Sequence, residues 1–193
     1  MKLIVLSPES ADPHEHSVLV QLFAAGLTSY HLRKPQSSRD EIATWLRALP
    51  LEFHARIVLH SHHGLAGEFK VGGIHNADPS SSPLPRSRAI HDPVTLRASL
   101  DGYDRLLVSP IFPSFSKPGH GPSGRFPETE LRAILTLPRR AEVIALGGVD
   151  ASHFPVCRDL GFDGVAVLGA VWRAADPRRA FHELQNALHA HAT

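Results

Sequence analysis

The sequence predicts an α/β chain closed into a compact (β/α)8 barrel, and three observations carry that prediction. Eight short apolar runs alternate with about seven helical segments along 193 residues. The runs are continuous rather than alternating, which marks parallel strands covered on both faces. Glycine turns follow the seventh and eighth runs, at Gly147-Gly148 and at Gly169. A doubly wound open sheet is the alternative that alternation permits, but eight units favour closure. The chain reads as a single domain over 1–193.

The elements follow in order. Residues 2–6 (KLIVL) form the first strand, stopped by Ser7-Pro8. Residues 14–25 place Val18, Leu19, Leu22 and Phe23 at helical spacing, and Gly26 ends them. A second strand over 28–32 leads to a helix over 38–49, capped by a serine and closed by Pro50. Strand three covers 56–59, a short helix 62–69, and strand four 73–75. Residues 77–87 hold prolines and serines in place of the helix due there, so an irregular connection is expected. Strand five spans 88–90, a helix 93–100, strand six 106–109, and a helix 128–137. Strand seven at 142–145, a helix at 151–160, strand eight at 164–167 and a closing helix at 177–189 complete the series.

Composition excludes several classes. A formal net charge of +1 gives no global attraction to nucleic acid or an anionic membrane. The single cysteine, Cys157, excludes an intrachain disulfide framework and reads as a packed small residue. The first ten residues lack a signal-peptide pattern, and no apolar run approaches the ~20 residues of a membrane span. A soluble cytoplasmic protein is expected. Fourteen histidines are the one unusual feature of the composition.

In a barrel, the residues just after each strand converge on one face, where active sites lie. That gathers Arg33-Lys34, His60-Ser61, His75, His91, the 109–124 loop, Gly147-Gly148 and Leu168-Gly169 around one mouth. The loop after strand six (SPIFPSFSKPGHGPSG) combines small residues, hydroxyls and Lys117, a composition suited to an anion. Paired glycine turns after strands seven and eight are how this fold cradles phosphate through backbone N–H groups. His60-x-His62-His63 raises a zinc reading, but no carboxylate or cysteine at ligand spacing completes it. Histidines lining an anion-binding mouth are the preferred reading, with His63 a helix-start residue.

Three blocks, YHLRKP (30–35), VSPIFPSFSKPGHGP (108–122) and VIALGGV with FDGVAVLGAV (143–149, 162–171), resemble the family of thiamine phosphate synthase and its sister, thiazole tautomerase. The likeness runs over nearly the whole chain. It implies a (β/α)8 enzyme of thiamin synthesis that couples a pyrimidine methyl diphosphate with thiazole phosphate and releases pyrophosphate, using Mg²⁺. By the resemblance, Arg33 contacts diphosphate, and Lys34 substitutes for a family lysine whose place is taken by Pro35. Ser114, Ser116 and Lys117 match the loop that grips phosphate or pyrophosphate. Gly148 and the Leu168-Gly169 backbone match the thiazole-phosphate cradle, with Gly147 beside them in the same glycine turn. His91 falls near a Ser-x-His position in which Ala89 stands for the serine, and His60, Ser61 and His75 line the same mouth.

The departures bear on mechanism. The family holds Mg²⁺ with an Asn-Asp pair after strand three and an aspartate after strand four. Here the pair reads His60-Ser61, and the carboxylate nearest the second position is Asp78, the one candidate metal ligand. The tautomerase histidine aligns with Pro110, leaving His120 as a candidate acid–base replacement. Thiazole tautomerase and a non-catalytic phosphate-ligand-binding protein are the alternative functions. A homodimer is expected from the resemblance alone.

Overall fold

The computed structural model describes residues 1–77, 83–113 and 125–190. Eight strands close into one parallel barrel in chain order: β1 (Lys2–Leu6), β2 (Tyr30–Leu32), β3 (Ile57–Leu59), β4 (Gly73–His75), β5 (Arg86–Ile90), β6 (Arg105–Val108), β7 (Glu142–Leu146) and β8 (Gly164–Val167). The ring closes where β1 pairs with β8, Lys2 opposite Gly164 through Val5 opposite Val167. The barrel settles the choice against an open sheet.

Outside it lie α1 (Glu15–Ala24), α2 (Arg39–Ala48), α3 (Leu65–Phe69), α4 (Pro93–Ser99), α5 (Glu128–Leu135), α6 (Phe154–Leu160), α7 (Gly169–Trp172) and α8 (Pro177–His189). Local chemistry sets their ends. Ser38 and Glu41 form a capping box on α2. Asp92 and Asp176 cap α4 and α8, each with proline next in line. Gly161 ends α6 in the left-handed region.

Several boundaries differ from the sequence reading. The helix expected from residue 62 begins at Leu65, because His62 adopts a left-handed φ of 52° and its Nε2 donates to the Ser37 carbonyl. A helix cannot run through that residue. β5 begins two residues early, at Arg86, paired with Ile74 of β4. The helix expected over 151–160 is a 3₁₀ turn (Ala151–His153) followed by α6. A 3₁₀ segment at Leu51–Arg56 and the short α7 were not expected. The described residues between β4 and β5, 76–77 and 83–85, hold no helix.

Burial falls into two layers. The larger core lies between sheet and helices, where Val5, Leu32, Leu59, Val108 and Val143 meet Leu22, Leu46, Leu96, Ile134 and Phe181. Cys157 sits there with no exposure, and burial pushes its thiol up to about 12, so it is an inert packing residue. The smaller core is the barrel interior: Ile4 and Leu6 from β1, Leu107 from β6, Ile144 from β7 and Ala166 from β8. Inside the barrel, the buried polar residues His31, His75 and Ser87 come from β2, β4 and β5. Among the described residues, no helix is long and apolar enough to cross a membrane.

Candidate functional site: an imidazole-lined barrel mouth

Side chains alternate across a strand, so residues of the same parity share a face. On β2, Tyr30 and Leu32 enter the outer core. His31 and Arg33 take the opposite parity and point into the barrel. His60, just beyond β3, and His75, at the end of β4, do likewise. A cavity of about 550 Å³ opens at the carboxyl ends of the strands. Leu6, Leu107, Leu146 and Ala166 form its apolar wall, and Arg33, His60, His75 and His91 its polar one. Gly147, Gly148, Leu168 and Gly169 complete the rim.

The floor of the polar wall is a histidine cluster. His31 Nδ1 lies 3.0 Å from His60 Nε2, and the His60 ring stacks on His75 at 4.0 Å between centroids. His75 Nδ1 is 2.8 Å from the Ser87 hydroxyl. One candidate ligand nitrogen from each of His31, His60 and His75 lies within 4.8 Å of the other two. His31 is fully buried and its Nε2 has no hydrogen-bond partner. Burial, then the neighbouring His60 and His75 and the Arg105 charge, hold the His31 imidazole well below its ordinary range. Burial first, then His75, Arg33 and His63, push His60 down to about 2. His75 is lowered to about 4 by burial, with His63, Arg33 and His91 adding to it. At neutral pH the cluster is therefore three neutral rings, each with one N–H and one lone pair.

Sequence reasoning missed His31. Its signal was parity: it stands two residues before Arg33 and must share that side chain's face. The run His60-x-His62-His63 is not the cluster, because His62 turns outward to Ser37.

Lys34 requires a correction. Expected at the mouth as a charge for diphosphate, it lies on the opposite face of the strand and is 4% exposed. Its ammonium donates to Glu15 Oε2 at 2.5 Å and to the Ser10 carbonyl at 2.8 Å. Glu15, 1% exposed, also accepts the Tyr30 hydroxyl at 2.7 Å. Among the described residues that line the cavity, Arg33 carries the guanidinium; its side chain is 39% exposed and paired with Glu9. Its backbone is clamped to β1 by Ser7, whose hydroxyl accepts from Arg33 N–H at 2.8 Å and donates to Arg33 C=O at 2.9 Å. His91 donates Nδ1–H to the Ser109 carbonyl at 2.9 Å, which leaves Nε2 as the acceptor when the ring is neutral. Ser61 is half-buried beside His60 and is not among the residues lining the cavity. Asp78, Ser114, Ser116, Lys117 and His120 lie outside the described residues.

The glycine turn after β7 has a packing reason. Gly147 and Gly148 take φ of 90° and 64°. A Cβ on Gly148 would come within 2.2 Å of the Pro113 carbonyl oxygen, and one on Gly147 within 2.9 Å of Pro110 Cα. These residues are glycine because the segment after β6 lies directly on them, anchored by Ile111 N–H to Leu146 C=O and Phe112 N–H to Gly147 C=O, both 3.0 Å. After β8, Trp172 Nε1 donates to Leu6 C=O at 2.7 Å and holds α7 against the rim.

The donor set can be compared with the Mg²⁺ that the resemblance implies. Mg²⁺ requires near-octahedral oxygen ligands at about 2.1 Å. Beyond β3 and β4 the described residues offer imidazoles and Asn76, whose Oδ1 already accepts Ala89 N–H at 2.8 Å. Among the described carboxylates, the one lining the cavity is Glu9, which is paired with Arg33. The described residues do not fit Mg²⁺.

A second cavity, of about 500 Å³, opens at the other end of the barrel. There Glu142 pairs with both Lys2 and Arg105, and Arg56, Arg86 and Arg140 stand with Asp104 around the same opening, so the lining is basic. In this fold that end serves stability.

Fold and mouth together define a (β/α)8 protein with a small-molecule site at the carboxyl ends of its strands. Residues 3–171 match the sequence profile described as thiamine monophosphate synthase, and the chain belongs to that family. The thiamine-phosphate synthase of Desulfitobacterium hafniense is 27% identical over 168 residues, 79% of this chain and 79% of that protein. That of Haemophilus influenzae is 28% identical over 193 aligned positions, 88% of this chain and 83% of the relative. The crystal structure of thiamine phosphate pyrophosphorylase from Bacteroides thetaiotaomicron superposes with a TM-score of 0.83 at 27% identity, covering 100% of both chains. The pyrophosphorylase from Pyrococcus furiosus, at 21% identity and TM-score 0.78, shares the fold.

Proposed function

We propose that this protein is a transferase of thiamin synthesis. It couples hydroxymethylpyrimidine diphosphate with thiazole phosphate to give thiamin phosphate and pyrophosphate. In that reaction the bond from the pyrimidine methylene carbon to the diphosphate oxygen breaks, a bond from that carbon to the thiazole nitrogen forms, and pyrophosphate departs with the bonding electrons. The demand on the protein is positive charge and hydrogen bonds for the leaving group rather than a strong base.

The observation that carries the reading is one cavity, in a member of this family, that joins Arg33 to the glycine turns after β7 and β8. Arg33 would exchange Glu9 for a diphosphate oxygen, a charge-assisted bond favoured by its fork geometry. The backbone at Gly147-Gly148 and Leu168-Gly169 would receive the phosphate of the thiazole partner. Leu6, Leu107 and Ala166 exclude water from the reacting carbon, which otherwise would take the place of the thiazole. Lys117, Ser114, Ser116 and His120 belong to this reading on the resemblance. The same reading includes a cytoplasmic location and a homodimer. Nothing among the described residues favours the tautomerase or the non-catalytic binding protein over it.

The test is a coupling assay with purified protein and both phosphorylated substrates, in Mg²⁺, in Zn²⁺ and in EDTA. Thiamin phosphate and pyrophosphate in equal amounts are expected. Arg33→Ala should lower kcat/KM about tenfold or more, the loss of one hydrogen bond to a charged group. Protein that binds thiazole phosphate but forms no product under any of the three conditions overturns the proposal.

A further inference from the structure

We propose that His31, His60 and His75 form a three-imidazole site for a late first-row divalent metal ion, with Zn²⁺ the representative. The site stands on geometry alone and does not depend on which reaction the mouth performs.

Three adjacent strands deliver the rings to one point. In a tetrahedral site with Zn–N of about 2.0–2.1 Å, ligand nitrogens lie about 3.4 Å apart. His31 Nδ1 and His60 Nε2 are already at 3.0 Å. The full set lies within 4.8 Å, so a metal requires the widest pair to draw in by no more than about 1.4 Å, through rotation of the ring bonds. His75 is held through Nδ1 by Ser87, which leaves Nε2 for a metal and fixes the ring, the outer-shell arrangement typical of ligating histidines.

Donor chemistry selects the ion. Neutral imidazole favours Zn²⁺, Co²⁺ and Ni²⁺ over Mg²⁺ and Ca²⁺, which take oxygen. His60 and His75 line the cavity, so the remaining coordination position opens to the mouth. Its ligand would be water or an oxygen of a phosphorylated molecule. Three histidines plus one open position is the pattern of reactive rather than structural zinc sites. After β3, where the resemblance places an Asn-Asp pair of oxygen ligands, this chain has His60-Ser61, so that strand end offers a nitrogen ligand.

The experiment uses untagged full-length protein, stripped with chelator and dialysed against Zn²⁺ alone, with metal measured by atomic emission. One equivalent of Zn²⁺ per chain is expected, lost in His60→Asn and His75→Asn and kept in His14→Asn and His189→Asn, exposed residues at the start of α1 and the end of α8. Co²⁺ added to the unaltered protein should give the intense visible bands of four-coordinate cobalt, bleached by one equivalent of Zn²⁺. Absence of those bands, or Zn²⁺ retained by both cluster variants, overturns the proposal. The cobalt spectrum needs no variant, so a misfolded mutant does not remove the test. Loss of coupling activity with metal binding intact would overturn the transferase reading and leave this one standing.

Discussion

Replacing Lys34 with methionine separates a structural role from a catalytic one. Methionine keeps an unbranched apolar stem and removes only the ammonium. In the folded protein that leaves the Glu15 carboxylate 1% exposed, with the Tyr30 hydroxyl still donating to it. Breaking a buried pair by removing one partner costs about 3–5 kcal/mol, because the remaining charge stays out of water. For a domain of this size that corresponds to a Tm lower by about 6–20 °C. Urea unfolding of Lys34→Met should show a lower midpoint at unchanged slope. The double variant Lys34→Met/Glu15→Gln should recover much of the loss, since the neutral amide still accepts from Tyr30 and no orphan charge remains. A coupling energy of about 2 kcal/mol or more is expected from the cycle. Well below its Tm, Lys34→Met should keep its KM for the diphosphate substrate, unlike Arg33→Ala. If Lys34→Met unfolds within about 1 kcal/mol of the unaltered protein while losing diphosphate affinity, the lysine serves the mouth and the burial argument fails.

The histidine cluster predicts a pH dependence of stability. A histidine whose folded pKa lies below its unfolded value of 6.5 contributes stability that is complete above that pH and lost as pH falls toward the folded value. The unfolded chain takes up protons there that the native state refuses. With His60 lowered to about 2 and His75 to about 4, each removes about 1.4 kcal/mol per pH unit between pH 6.5 and 4. Thermal denaturation in EDTA should show Tm falling over that window, and His60→Asn/His75→Asn should fall less steeply; parallel curves would refute the assignment. Gly148→Ala should lower stability by about 2 kcal/mol or more, since its φ of 64° disfavours a side chain and the Cβ would collide with Pro113 C=O. Chemical denaturation checks it, and an unchanged midpoint would mean that the segment after β6 does not rest on the glycine.

The sequence by itself determined the barrel. Continuous apolar runs such as KLIVL and GVAV have no polar face to give to solvent, so they form strands covered on both sides, and eight of them at short spacing close. Strand eight and the last helix coincide with the expected ranges because local signals bound them, glycine before β8 and Asp176-Pro177 before α8. The strand ends were legible too, and with them the residues that face the mouth: Arg33, His60, His75 and His91. Parity within β2, also written in the sequence, separates His31 and Arg33 from Lys34.

What only the tertiary structure decided was partnership. Lys34 finds Glu15 nineteen positions earlier, and the three histidines come from three strands. No local signal encodes such meetings, because they depend on the register and curvature of the closed sheet. The same lysine is a substrate clamp or a buried ion pair according to which face of β2 it takes and what α1 presents to it. The same glycine pair is a phosphate cradle or a seat for neighbouring backbone according to where the segment after β6 comes to lie. The barrel follows from the periodicity of one chain; the site follows from distances between parts of it that periodicity does not measure.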